Sequence, residues 1–211
     1  MMLEKLFMVR KFTLVILFIL TFQANAQEKT ILILADSLSA SYGIAIDQGW
    51  VSLLQKRLNE QGYSYNVFNA SISGDTTHGA LSRLDMILEE MDPEITVLEL
   101  GGNDGLRGLP IDEIKSNLDG IVNKLILEDS QVLLVPMIIP PNYGKFYIDK
   151  FTGIYNELAG IYDVILGRFI LEGIADKPEL MQNDGIHPTA EAQEMMLDNI
   201  WPDLTPLLDA D

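Results

Sequence analysis

Residues 30–35 read Thr-Ile-Leu-Ile-Leu-Ala, an apolar run with no polar alternation. A strand of that kind has both faces covered, which is the condition of a parallel sheet packed between helices. The rest of the chain repeats the theme. Short β-rich runs at 65–69, 95–100 and 132–139 alternate with stretches of helical period. Trp50, Leu54 and Leu58 form one stripe, stopped by Gln61-Gly62. Leu81, Leu84, Leu88 and Met91 form a second, ended by Asp92-Pro93. Ile111, Ile114, Leu118, Ile121 and Leu125 mark a third. Phe151, Ile154, Tyr155, Leu158 and Tyr162 mark a fourth, weakened by Gly153 and Gly160. A poor strand at 163–166 and a last helix at about 189–201 complete five β-α units. The pattern predicts one α/β domain, a parallel five-stranded sheet between two helical layers.

Residues 1–26 stand apart from that pattern. Lys5, Arg10 and Lys11 precede an apolar run from Phe12 to Phe22, and Ala24-Asn25-Ala26 puts small residues at −3 and −1. This is the plan of a secretory signal peptide, with the mature chain expected from Gln27 as a single domain, 27–211. The run is shorter than the ~20 apolar residues a spanning helix needs, so no stable membrane insertion is expected after cleavage. A periplasmic or secreted location follows.

The chain has no cysteine and only two histidines, His78 and His187. Thiolate nucleophiles and thiolate or histidine-rich metal centres are thereby disfavoured, and no cofactor is implied. The net charge is −17, and removing residues 1–26 leaves 11 basic against 30 acidic groups, about −19. Such a surface repels nucleic acid and anionic lipid headgroups.

Three strands run into small or polar residues at the same sheet edge. The first ends in Asp36-Ser37-Leu38-Ser39, the second in Asn69-Ala70-Ser71-Ile72-Ser73-Gly74-Asp75, the third in Gly101-Gly102-Asn103-Asp104. Open α/β sheets put their sites at that edge. Ser37 is a candidate nucleophile. Its own N–H, the N–H of Gly74 and the side-chain amide of Asn103 are three donors able to converge on an oxyanion. Far along the chain comes Asp184-Gly185-Ile186-His187-Pro188. That spacing lets the carboxylate reach Nδ1 and leave Nε2 free as a base. His78 lacks such a partner and is expected to be solvated at the start of the second helix. Residues 105–110 (GLRGLP) suit either an ordinary loop or a flap, with Leu106 and Leu109 as substrate-binding candidates beside Ile138 and Ile139.

These motifs resemble the SGNH (GDSL-type) hydrolases over essentially the whole mature length: Ser37 in ADSLSASYG, Gly74 in NASISGDT, Asn103 in ELGGNDGLRG, Asp184 and His187 in DGIHP. NASISGDT, LELGGNDGLRG, PPNYG and MQNDGIHP together look like the bacterial periplasmic thioesterase/lysophospholipase/arylesterase subgroup. The resemblance implies a flavodoxin-like α/β/α sandwich and hydrolysis of acyl thioesters, lysophospholipids and aryl esters, with a 105–110 loop that adjusts to bound acyl chains. One position departs: Ala35 stands where the family has glycine. Its β-carbon is harmless if the strand ends with ordinary β dihedrals. Two rivals remain at this level, an O-acetyl esterase acting on glycans and a non-catalytic binding module on the same scaffold.

Overall fold

The computed structural model describes residues 29–208. The expected signal segment lies outside them. Five parallel strands form one sheet in the order β2-β1-β3-β4-β5. They are β1 (Lys29–Ala35), β2 (Tyr65–Asn69), β3 (Ile95–Glu99), β4 (Gln131–Leu134) and β5 (Ile165–Leu166). Residues 31–35 and all of β3 are buried, which explains their lack of alternation.

Handedness then decides where each helix goes. From β1 the chain steps outward to β2 through α1 (Trp50–Gln61). From β2 it crosses back over β1 to β3 through α2 (Thr77–Glu90), and continues the same way through α4 (Ile111–Leu127) and α5 (Lys145–Tyr162). Right-handed crossovers in opposite directions put helices on opposite faces. Accordingly α1 packs with α6 (Gln193–Leu204), whereas α2, α4 and α5 pack in series. This is the predicted three-layer α/β/α sandwich. The direction of winding reverses between β1 and β3, so the crevice beyond their carboxyl ends is the place for a site.

Several boundaries differ from the sequence reading, each for a local reason. The fourth strand stops at Leu134 rather than 139, because β5 offers only two residues to pair with. Beyond it the chain leaves the sheet towards Pro140-Pro141, which lack donors. The stretch expected to be wholly loop before Ile111 contains α3 (Gly102–Leu106). Gly101 turns the chain into it with φ 107°, and a β-carbon there would stand 2.4 Å from the Tyr155 hydroxyl. Gly153 and Gly160 do not interrupt α5, whose buried Phe151, Ile154, Tyr155 and Leu158 outweigh their poor propensity. Helix α6 follows a 3₁₀ turn at Ala190–Ala192 and ends three residues beyond Trp201. Ala35 closes β1 paired with Glu99, outside the positive-φ residues, so the missing glycine costs the turn nothing. No helix among the described residues is long and apolar enough to cross a membrane.

Candidate active site

The turn after β1 is held from below. Ala40 N–H donates to Asp36 O at 3.0 Å and Tyr42 N–H to Ser37 O at 3.3 Å, so the chain coils back immediately after the strand. Ser39 Oγ donates to the buried Glu99 carboxyl group at 2.9 Å and accepts from Trp50 Nε1 at 3.1 Å. Asn69 Nδ2 donates to Ser39 O at 2.9 Å. Ser37 thus stands on a turn tied to α1 and to the ends of β2 and β3.

The C-terminal loop approaches it from the other end of the chain. Ser37 Oγ lies 2.9 Å from His187 Nε2, and His187 Nδ1 lies 2.7 Å from Asp184 Oδ2. A carboxylate only accepts, so Nδ1 carries the proton and Nε2 is left to accept from the serine hydroxyl. Asp184 Oδ1 also accepts the N–H groups of Ile186 (2.9 Å) and His187 (3.0 Å). These bonds hold its carboxyl down at about 2, the backbone N–H of His187 contributing most. Gly185 makes the tight turn possible with φ 67°.

Gln182 fastens this loop to the serine turn. Its Nε2 donates to Tyr42 O at 2.8 Å and to Pro188 O at 2.9 Å, while its N–H donates to His187 O at 2.7 Å. The Tyr42 ring lies against the imidazole, centroids 4.2 Å apart. His78, by contrast, is exposed in the first turn of α2.

Asn103 lies in α3, and its Nδ2 donates to Asp36 Oδ2 at 3.0 Å. Gly74 sits on the exposed turn after β2 with φ 80°, its carbonyl accepting from Arg107 Nη2 at 3.0 Å. The two loops are cross-tied, since Asp104 accepts from the N–H of Thr77 at 3.0 Å and from its hydroxyl at 2.6 Å. Arg83 pairs with Asp75 at 2.9 Å beside them.

A model of the GDSL-like lipase/acylhydrolase family matches residues 36–195, from the serine turn past the Asp-x-x-His loop. The chain belongs to this family. It is 48% identical over 192 residues to the esterase TesA of Pseudomonas aeruginosa, covering 91% of this chain and 94% of that protein. It is 40% identical to the thioesterase 1/protease 1/lysophospholipase L1 of Escherichia coli, covering 92% of each. Among solved structures, the psychrotrophic esterase EstA of Pseudoalteromonas, inhibited by monoethylphosphonate, superposes with a TM-score of 0.82 at 40% identity. That match covers 84% of this chain and 97% of EstA.

In this GDSL-type hydrolase a cavity of about 440 Å³ opens beside Ser37, Asn103 and His187. Its walls are apolar: Leu38, Leu106, Met137, Ile138, Ile139 and Phe169 among them. Leu106 lines the cavity. Leu109 does not; it packs on the core, and its carbonyl accepts from the Tyr147 hydroxyl at 2.7 Å. Tyr143 ties the Leu106 carbonyl in the same way at 2.6 Å. Sequence reasoning missed Phe169, Leu171, Ala175 and Met181, which reach the cavity from a stretch with no periodicity to flag it. It also assigned no role to Asp36, although a carboxylate directly after an all-apolar strand was a visible anomaly.

Proposed function

We propose that this hydrolase cleaves acyl esters and thioesters through Ser37, His187 and Asp184, with the N–H groups of Ser37 and Gly74 and the Asn103 amide as oxyanion donors. The observation that carries the reading is the unbroken relay from Asp184 to His187 to Ser37, at 2.7 and 2.9 Å. His187 Nε2 takes the hydroxyl proton as Oγ attacks the acyl carbonyl. Asp184, ionised down to about pH 2, offsets the imidazolium charge. The imidazolium then protonates the departing alcohol or thiol. Water, activated by the same base, attacks the acyl-serine, and the acid leaves.

The acyl chain fits the cavity, where among the described residues Phe169 is the one aromatic ring besides the imidazole. A sugar platform would want more exposed aromatic surface, so this wall favours aliphatic acyl groups over acetylated glycans. The relatives' names, esterase and thioesterase/lysophospholipase, agree with that choice. Leu106 is the substrate-binding residue on this reading. Residues 1–26 act as the signal peptide, and the single mature domain works in the periplasm or outside the cell.

The test is labelling with a fluorophosphonate probe, together with turnover of aryl esters, acyl-CoA, lysophospholipid and acetylated sugar. The wild-type protein should label and hydrolyse the first three. Ser37→Ala should lose label and ~10⁶ in turnover. Labelling of the Ser37→Ala protein, or full activity in it, overturns the assignment.

A further inference from the structure

Asn103 can stabilise an oxyanion only if its N–H₂ end, and not its carbonyl, is turned the right way. A carboxamide has two ends of nearly equal size and opposite polarity. Something beside it must choose. The two oxygens of Asp36 each receive one N–H: Leu38 donates to Oδ1 at 3.1 Å and Asn103 Nδ2 to Oδ2 at 3.0 Å. Asp36 is 2% exposed, so water is not at hand to replace either partner. A carboxylate accepts at both positions, whereas a carboxamide or a carboxylic acid must present a donor at one of them. A flipped Asn103 would set carbonyl oxygen against carboxylate oxygen.

We propose that Asp36 is a positioning residue for ester hydrolysis: ionised, it holds one N–H of Asn103 and leaves the other for the oxyanion, and protonated, it releases the amide. This rests on the reading of Asn103 as an oxyanion donor. The surroundings make the switch relevant near neutral pH. Burial is the largest influence and pushes the Asp36 carboxyl up to about 6, against the pull of Leu38 N–H, His187 and Asn103. Asp75, from the turn after β2, pushes it further up. Glu99 of β3, wholly buried, is itself raised well above the carboxylate range by burial and by the Asp36 charge. Tyr155 of α5, also buried, is raised by burial and stays neutral. The acid side of the activity profile should therefore carry an Asp36 protonation beyond the single step that any general base imposes.

The experiment compares Asp36→Asn, Asn103→Ala and the double variant, each checked for folding by circular dichroism and melting temperature, on a soluble aryl ester. Asn103→Ala should lose ~10²–10³ in kcat as one missing donor. Asp36→Asn should lose ~10² with KM little changed, and the double variant should be no slower than Asn103→Ala, because both substitutions remove one effect. The wild-type acid limb of log kcat against pH should approach a slope of two, falling to one in Asp36→Asn. A crippled Asn103→Ala beside an active Asp36→Asn overturns the proposal and leaves the donor reading standing. Losses that multiply in the double variant overturn it too, since Asp36 would then act without Asn103. A near-normal Asn103→Ala removes the donor reading and the proposal with it. If Asp36→Asn does not fold, the wild-type limb decides: a slope of one down to pH 4.5 overturns the proposal.

Discussion

Replacing Gln182 by alanine should damage both stability and catalysis, although Gln182 touches none of the reacting atoms. Its Nε2 supplies two N–H···O=C bonds, to Tyr42 O at 2.8 Å and Pro188 O at 2.9 Å. A neutral bond of this kind contributes about 0.5–1.5 kcal/mol net, so the pair is worth about 1–3 kcal/mol. Tyr42 is half exposed and its carbonyl can turn to water, which favours the lower half of that range. At roughly 2–4 °C per kcal/mol for a domain of this size, the melting temperature should fall by about 2–8 °C. The larger effect should be on kcat. The clamp is what presses the Asp184–His187 loop onto the serine turn, and a misplacement of about 1 Å can cost ~10²-fold in rate. Glutamate at 182 should be worse than alanine, because it would turn an acceptor towards each of the two carbonyls. Calorimetry and steady-state hydrolysis of an aryl ester measure the two quantities. A Gln182→Ala protein that melts lower but turns over normally would refute the clamp as a device for aligning the imidazole. One that matches the wild type in both would refute the hydrogen-bond arithmetic as well.

Glu99→Gln should make the protein more pH-tolerant. Burial raises the native Glu99 pKa, so its contribution is fully present below the unfolded value and is lost as pH rises towards the native one. Over that window the variant should gain up to about tenfold in folding constant per pH unit relative to wild type, read from denaturant midpoints between pH 5 and 8. A constant offset across that range would mean that Glu99 is ionised in the native state. Gly101→Ala should lower stability by about 1–3 kcal/mol, since alanine resists φ 107° and its β-carbon would meet the Tyr155 hydroxyl. A thermal melt unchanged from wild type would show that the turn relaxes freely.

The parts legible in the sequence were those where local chemistry and fold agree. The apolar run through Ala35, the stops at Gly62 and Pro93, and the Asp184-x-x-His187 spacing all read out directly. What stayed hidden depends on distant partners. Helix α3 forms where Gly101 and Gly102 suggest only a turn, because Tyr155 holds the Leu100 carbonyl and α3 packs over Asp36 and Met137. Leu109 looked equivalent to Leu106, yet Tyr147, far along the chain, draws its backbone to α5 and away from the cavity. Phe169 and Leu171 lie in a segment with neither period nor motif, and only the crevice beyond β1 and β3 gives them a role. The clamp of Gln182 is invisible for the same reason, since Tyr42 lies 140 positions earlier.

The proposed nucleophile Ser37 and its proposed base His187 are separated by 150 positions along the chain. A ribosome-bound or unfolded polypeptide therefore carries a nucleophile with no proton acceptor in reach, whatever fraction of it has already emerged. On the proposed assignment, hydrolysis has to wait until folding delivers the imidazole to the serine. An esterase built this way is inert during synthesis, and it becomes active as a by-product of completing its own architecture.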